Sequence, residues 1–306
     1  GFLGANLVAR LNARGRTEIV AVDAFQSSGA GPNAPPSRTR YLDEMDLKLL
    51  LDKEELPDWL ERAGNRVAAV IHLGACSDTT AADRAWMLRN NTEYSRTLWR
   101  WCARVGVPFI YASSAATYGD GSCGYDDEAD PPALKPLNLY AESKHLFDLW
   151  ALKERPAPPR WIGLKYFNVY GPREEHKGRM ASVAFHAFRQ IRESGEVRLF
   201  QSHREGIPHG GQRRDFIYVE DAVEATLHFL DAPVSEAAPN GLYNVGTGQA
   251  RSFEDLARAV FAALGLPPRI AYIPMPEDLR ERYQYFTQAT MAKLRRAGFA
   301  PPFHSL

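Results

Sequence analysis

No apolar run in this chain approaches the ~18 residues that a membrane helix needs, so the sequence offers no spanning segment. Cysteine is scarce. Cys76, Cys102 and Cys123 cannot all pair and their spacings fit no zinc pattern, which leaves neither a disulfide scaffold nor a metal site and makes a reducing cytoplasm the simplest compartment. Charge of one sign is missing too: 37 Lys and Arg stand against 37 Asp and Glu. A net charge of zero gives no electrostatic case for nucleic acid or for an anionic membrane as partner. There is no signal peptide and no initiator Met; Gly1-Phe2-Leu3-Gly4 runs straight into an amphipathic pattern with Leu7, Val8 and Leu11 on one side. The expectation is that a preceding strand is missing from this chain. What remains is 306 residues with 45% hydrophobic and 24% charged, the balance of a globule with a sizeable core.

Strand and helix patterns alternate through the first half. Glu18–Asp23 is a short apolar run ending in an acid and reads as a buried parallel strand. Ala24–Arg40 is rich in Gly, Pro and Ser and reads as a loop, with a further strand expected over Tyr41–Asp46. Glu54–Ala63 is predicted helical and Val67–Leu73 a strand. A long helix is expected from Ala82 to Val105, then a strand from Pro108 to Ala112, a helix over Leu139–Lys153 and a strand over Trp161–Phe167. This alternation predicts an α/β fold, a Rossmann-type doubly wound parallel sheet. After Asn168 prolines, glycines and basic residues interrupt the pattern as far as Arg213. Two short helices follow, Val219–Leu230 and Ser252–Leu264. The reading is a dinucleotide-binding domain over 1–167 and a smaller C-terminal α/β substrate domain over 168–306, with some segments returning to the core.

Three constellations carry chemistry. Gly1-Phe2-Leu3-Gly4 has the form of the end of a dinucleotide loop, where glycine lets the backbone approach a pyrophosphate and a helix N-terminus offers free N–H groups. G-x-x-G at a helix start is as often a simple turn, but Asp23, ending the next strand, stands where an acid binds adenosine ribose, a loop cap being its bland alternative. Tyr140-Ala141-Glu142-Ser143-Lys144 sets Tyr and Lys on one helical face. The expectation is that the Lys144 ammonium lowers the tyrosine pKa from its usual ~10, making a proton acceptor. Ser114 closes a predicted strand upstream, and Ser, Tyr and Lys together form a hydride-transfer set. His203 and His209 lie in a polar stretch from Ser202 to Gln212, where a solvated loop is favoured over a metal site because no third ligand accompanies them.

The chain resembles the extended short-chain dehydrogenase/reductases that act on nucleotide sugars, the NAD-dependent epimerase/dehydratase family. Ser113-Ser114-Ala115-Ala116-Thr117-Tyr118-Gly119 looks like the catalytic-serine segment of that family, and Tyr166-Phe167-Asn168-Val169-Tyr170-Gly171-Pro172-Arg173 like the entry into its substrate domain. Arg214–Asp221 and Tyr243–Gly248 match two later segments, so the resemblance covers essentially the whole chain. His72–Thr80, Gly171–Gly178, Met180–His186 and Arg282–Ala289 are similar to the branch that inverts one carbon of a heptose carried on ADP, a lipopolysaccharide core precursor.

That resemblance implies NADP, with NAD possible, as cofactor, ADP-heptose as substrate and a homo-oligomeric enzyme. Ser114, Tyr140, Lys144 and Lys177 are the implied catalytic residues. Gly1, Phe2, Leu3, Gly4, Asp23, Ala24, Lys53, Leu73, Gly74, Ala75, Cys76, Ser77, Asn90, Lys144 and Val169 fall on the cofactor side. Ser114, Asn168, Arg179, His186, Phe200, Gln201, Ser202, His203, Arg214 and Tyr283 fall on the substrate side. Asp23 favours the free ribose hydroxyl of NAD, whereas Lys53 or Arg38 could offset the 2′-phosphate of NADP. Arg214 is expected to grip the diphosphate, because a guanidinium forks bidentately onto phosphate oxygens. Lys177 has a bland alternative as a phosphate-binding or solvated lysine, Asn90 as a helix cap or a satisfied helix-interior residue, and Cys76 as a small buried hydrophobe. A sugar-nucleotide 4,6-dehydratase needs an acid beside the serine, and Ala115-Ala116 stand there instead. A 4-epimerase fits the core motifs but not the Lys177 segment, and a non-catalytic dinucleotide-binding protein has no need of Ser114, Tyr140 and Lys144.

Overall fold

The computed structural model describes residues 1–24, 38–232, 235, 238–280 and 283–306. Most of the loop expected over Ala24–Arg40 lies outside the described residues, as do the Arg38 side chain and Arg282.

The chain opens with α1 (Phe2–Ala13) and β1 (Val20–Asp23), followed by β2 (Leu49–Asp52), α2 (Leu56–Ala63) and β3 (Val70–His72). The expected strand over Tyr41–Asp46 is not formed. A 3₁₀ turn, Arg38–Tyr41, and bends take its place, and the strand comes later, where Leu49-Leu50-Leu51 supplies an unbroken apolar run. The long helix is three pieces: α3 (Arg84–Met87), a π-helical segment (Leu88–Glu93) and α4 (Tyr94–Val105). It starts at Arg84 because the Asp83 carboxylate caps it, accepting from the Trp86 amide at 2.8 Å. It stops at Gly106, which takes the left-handed conformation at φ 79°.

β4 (Phe109–Ser114) leads through a 3₁₀ turn (Ala115–Tyr118) towards α5 (Leu139–Ala151), and β5 (Trp161–Tyr166) passes almost directly into β6 (Asn168–Tyr170). A second 3₁₀ segment (Glu175–Met180) precedes α6 (Val183–Ser194), β7 (Val197–Phe200), β8 (Arg213–Tyr218), α7 (Val219–Asp231) and β9 (Gly241–Val245). β10 (Ala250–Ser252), α8 (Phe253–Ala263), β11 (Ile270–Ile273), α9 (Glu277–Arg280) and α10 (Ala292–Arg296) complete the chain. The interrupted pattern between Asn168 and Arg213 therefore hides a full helix and two short strands. Ser182 caps α6 at 3.1 Å from the Phe185 amide, a local signal present in the sequence but outvoted by the surrounding glycines.

The central sheet is parallel, in the order β3-β4-β5-β9, with β1 and β2 forming a separate parallel pair. Every residue of β5 is buried, as expected of a strand covered on both faces. On one face Ile110, Ile162, Leu164 and Val245 pack against Ala222, Ala225 and Phe229 of α7. On the other, Phe109, Tyr111 and Trp161 meet Trp99 and Cys102 of α4 and Phe147 and Ala151 of α5. A further core joins α6, α8 and β7 through Ile191, Val197, Leu199, Leu256 and Phe261. The short sheets β10-β8-β6 and β11-β7 lie with this second core. Among the described residues no helix is long and apolar enough to cross a membrane.

One polar cluster lies inside the apolar sandwich. Asp148 of α5, with no exposure, accepts hydrogen bonds from Tyr111 (2.9 Å) and Ser113 (2.7 Å) of β4 and from Lys165 Nζ of β5 (2.8 Å). Lys165 also donates to Thr117 at 2.6 Å and stands 5.1 Å from the Tyr118 ring centroid. Breaking a buried pair on one side leaves an uncompensated charge, at a cost of about 3–5 kcal/mol. Lys165→Met should therefore lower unfolding stability by about that much in chemical denaturation. A loss below about 1 kcal/mol, the value of an exposed pair, would show that the pair is not a brace.

Candidate active site

The C-terminal ends of the parallel strands bring the predicted residues to one edge. β1 ends at Asp23, whose Oδ2 is 2.7 Å from the Gly1 nitrogen at the start of α1. Ala24 follows, its amide donating to Asp23 Oδ1 at 2.8 Å. Gly4, in the first turn of α1, has open space where a Cβ would stand. Phe2 is buried while Leu3 packs against the sheet core. β2 leads to Lys53, whose Nζ is bonded to Asn90 Oδ1 in the π-helical segment. Asn90 Nδ2 donates to the Trp86 carbonyl one turn back at 2.9 Å, so the side chain is satisfied within the helix, as its bland alternative expected.

β3 ends in Leu73-Gly74-Ala75-Cys76-Ser77. This loop is pinned by a residue that the sequence reading passed over. Asn91 accepts from the Cys76 amide at 2.9 Å, donates to the Cys76 carbonyl at 3.0 Å and donates to Ser143 Oγ at 2.9 Å. The Asn90-Asn91 doublet was the available sign, and the π-helical offset turns the second asparagine inward. Cys76 is half-buried rather than fully buried.

β4 ends at Ser114, whose Oγ accepts from the Ala116 amide at 3.1 Å and so caps the 3₁₀ turn. α5 begins just beyond Asn138, whose side chain accepts from the Ala141 amide at 2.9 Å. That cap sets Tyr140 and Lys144 on the face turned to β4. Burial lifts the Tyr140 phenol above its ordinary value of 10.0, and the neighbouring Ser114 hydroxyl pulls it down without offsetting this. The expected lowering by Lys144 is thus corrected. Lys144, only 5% exposed, donates to the Ala112 carbonyl at 2.8 Å, and burial drives its pKa from 10.5 down to about 8 against the opposing pull of Asp148. His72 beneath is held neutral by burial, then by the Lys144 charge, at about 3.

The opposite wall comes from the segment after β5. Asn168 is exposed and Val169 half-buried on β6, beside β8. Lys177 lies in the 3₁₀ segment with Nζ 4.9 Å from the Phe2 ring centroid, its pKa lowered by burial against the pull of Glu174. Arg179 contacts Thr80 and Asp78, and His186 Nε2 is 3.3 Å from the Arg179 carbonyl. Deeper in the second core, Arg214 and Tyr283 stand together, guanidinium carbon to ring centroid 5.3 Å. Phe200 meets Tyr283 edge-on at 6.2 Å. Arg214 already donates to the carbonyls of Arg213 and Gln284, so part of its fork is used by the protein itself. Gln201 reaches the Tyr272 carbonyl at 3.3 Å, while the Ser202 hydroxyl and His203 converge on the Tyr285 hydroxyl. Tyr285 was not foreseen as a member of this loop's frame. Among the described residues no group of His, Cys, Asp and Glu could hold a metal.

The donor set suits a dinucleotide. A glycine-flanked helix start faces an acid at a strand end, and among the described residues Lys144 has one protein acceptor, which leaves two of its three N–H bonds for ribose oxygens. Matching the chain to known families agrees: residues 1–246 fit the NAD dependent epimerase/dehydratase family. The chain belongs to that family. A protein of Nitratidesulfovibrio vulgaris named ADP-L-glycero-D-manno-heptose-6-epimerase is 47% identical over all of this chain and 92% of its own length. One of the same name from Fusobacterium nucleatum is 44% identical with the same coverage. Among solved structures, the Helicobacter pylori ADP-L-glycero-D-manno-heptose-6-epimerase superposes with a TM-score of 0.80 at 27% identity, over 99% of this chain and 89% of that one. The Thermus thermophilus UDP-glucose 4-epimerase, solved with NAD, gives 0.72 at 26%, over 98% and 91%.

The burial of Lys144 generates a direct check. With its amine labelled isotopically, NMR titration should place the Lys144 midpoint near pH 8, the ammonium being present below it. A midpoint near the ordinary lysine value of about 10.4 would contradict the buried, single-acceptor geometry.

Proposed function

We propose that this chain is a nucleotide-sugar epimerase that inverts the C6 centre of ADP-D-glycero-D-manno-heptose to the L-glycero epimer, making a precursor of the lipopolysaccharide core. The observation that carries the reading is identity of 44–47% along the whole chain to relatives of that name. The strand-end and helix-face set of Ser114, Tyr140 and Lys144 supports it.

The C–H bond at an unactivated carbinol is not acidic, so inversion by direct proton removal is unfavourable. A nicotinamide dinucleotide, when bound, supplies reversible hydride transfer, so the carbon passes through a planar ketone. The residues of the chain then have separate tasks. Gly1, Phe2, Leu3, Gly4, Asp23, Ala24, Lys53, Asn90, Val169 and the Leu73–Ser77 loop hold the dinucleotide. Lys144 donates to its ribose. Ser114 hydrogen-bonds the reacting oxygen, and Tyr140 moves the hydroxyl proton on one face. Lys177, carried on a different segment, moves it on the other. Its lowered pKa eases loss of the proton, while the raised pKa of Tyr140 keeps the phenol a donor until substrate and cofactor change its surroundings. Arg214 holds the diphosphate with the fork positions left to it. Asn168, Arg179, His186, Phe200, Gln201, Ser202, His203 and Tyr283 line the sugar-nucleotide side.

NADP is the preferred cofactor in this proposal, with NAD tolerated, because Lys53 stands at the end of β2 near Asp23; parallel titration with the two dinucleotides checks the order. A cytoplasmic homo-oligomer, with 168–306 as mainly the substrate domain, completes the reading.

Turnover in deuterated water tests the route. Hydride returned from the cofactor leaves no solvent deuterium at the inverted carbon, whereas deuterium there would sink the redox mechanism. Tyr140→Phe and Lys177→Met should each lower kcat by about a hundred- to ten-thousandfold with cofactor binding retained, as loss of a general acid–base group does.

A further inference from the structure

The segment that carries Lys177 is built around a carboxylate that none of the tasks above uses. Glu174 is 2% exposed. Its Oε1 accepts from Ser182 Oγ at 2.6 Å and from the Gly171 amide at 3.3 Å. Its Oε2 accepts from the Ser182 amide at 2.6 Å and faces Lys177 Nζ at 3.9 Å. A buried carboxylate with so many donors is fixed in orientation, and it ties both ends of the Lys177 segment, Gly171 before it and Ser182 after it. The backbone between them is under constraint. Arg173 is held at φ 72°, a conformation that a side chain with a Cβ adopts at a cost and that persists only where its surroundings enforce it. The enforcing contacts come from α1: Asn6 Oδ1 accepts from Arg173 at 2.8 Å, and Asn6 Nδ2 donates to the Pro172 carbonyl at 2.9 Å.

We propose that Glu174 is a positioning residue for the reaction: its caged carboxylate sets the place of the Lys177 amine against Phe2 and keeps that amine protonated between turnovers. The proposal rests on the role given to Lys177 above. The other charged and titratable groups nearby are engaged elsewhere. Arg173 is bound to Asn6, Glu175 to the Tyr41 hydroxyl, and His176 lies against the Tyr41 ring. From α1 the amine meets the uncharged ring of Phe2. Glu174 is thus the carboxylate that offsets the cost of burying the amine, and its charge and the burial pull Lys177 in opposite directions.

The test is Glu174→Gln in the whole chain, read by competitive acylation of Lys177 across pH with detection by mass spectrometry. This readout needs no turnover. The amide can still accept from Ser182, so the cage largely persists while the charge is lost. The Lys177 midpoint should fall by about one to three pH units, the usual effect of losing an opposite charge at this range. The limb of the kcat profile that reports Lys177 should move to lower pH with it. An unchanged midpoint in a folded Glu174→Gln protein would overturn the proposal. If that variant does not fold, Glu174→Asp, which keeps the charge but withdraws it by one methylene, should give a smaller fall in the midpoint, and none would overturn the proposal equally. Full activity in Lys177→Met would instead overturn the reading beneath it, and that result comes from a different protein.

Discussion

The buried pair of Asp148 and Lys165 is the constraint on which the reacting edge depends. Asp148 belongs to α5, Lys165 to β5, and their partners Tyr111 and Ser113 to β4. Three elements that would otherwise meet only through sliding apolar contacts are locked in register by directional bonds. The residues that matter for chemistry sit one step from this lock. Ser114 follows Ser113, and its carbonyl accepts from Thr117, which Lys165 holds. Lys144 precedes Asp148 by one helical turn, and Tyr140 precedes Lys144 by another. A shift of α5 along β4 would have to break the ion pair before it could displace the phenol from the serine.

The same carboxylate shapes the electrostatics. Its negative charge raises the pKa of both Lys144 and Tyr140, favouring the proton-bearing form of each. Burial acts with it on the phenol and against it on the ammonium. The outcome is a neutral phenol above its ordinary value beside an ammonium brought down to about 8. A motif spacing shows that Tyr and Lys share a face. It does not show that the amine turns to the Ala112 carbonyl, and desolvation follows from that turn.

The legible part of the fold was the part with regular periodicity. β4 and β5 are apolar runs buried on both faces, and α5, α7 and α8 have clear caps or apolar stripes, so their places could be read. The strand over Leu49–Asp52 was displaced from its expected position because an acidic turn separates it from Tyr41. The helix over Val183–Ser194 was hidden among glycines and basic residues that bend the chain around it. Within the site, Ser114, Tyr140 and Lys144 were legible because one strand end and one helix face determine them. Asn91, Glu174 and Tyr285 were not. Asn91 acts through a local π-helical offset and Tyr285 through partners some eighty residues away, while Glu174 is set by an irregular 3₁₀ segment and the turn before it, which no periodicity encodes.

On the proposed reading, these parts form an edge at which the C6 carbon is oxidised and then reduced from its other face, its C–H bond broken and re-formed. The most direct measurement starts from each of the two ADP-heptose epimers separately and follows the C6 configuration by NMR with the purified, dinucleotide-loaded protein. The account predicts that both reactions reach the same mixture of the two epimers, with no other sugar formed and no net change in cofactor redox state. Either epimer returned unchanged, or a dehydrated product accumulating in its place, would contradict it.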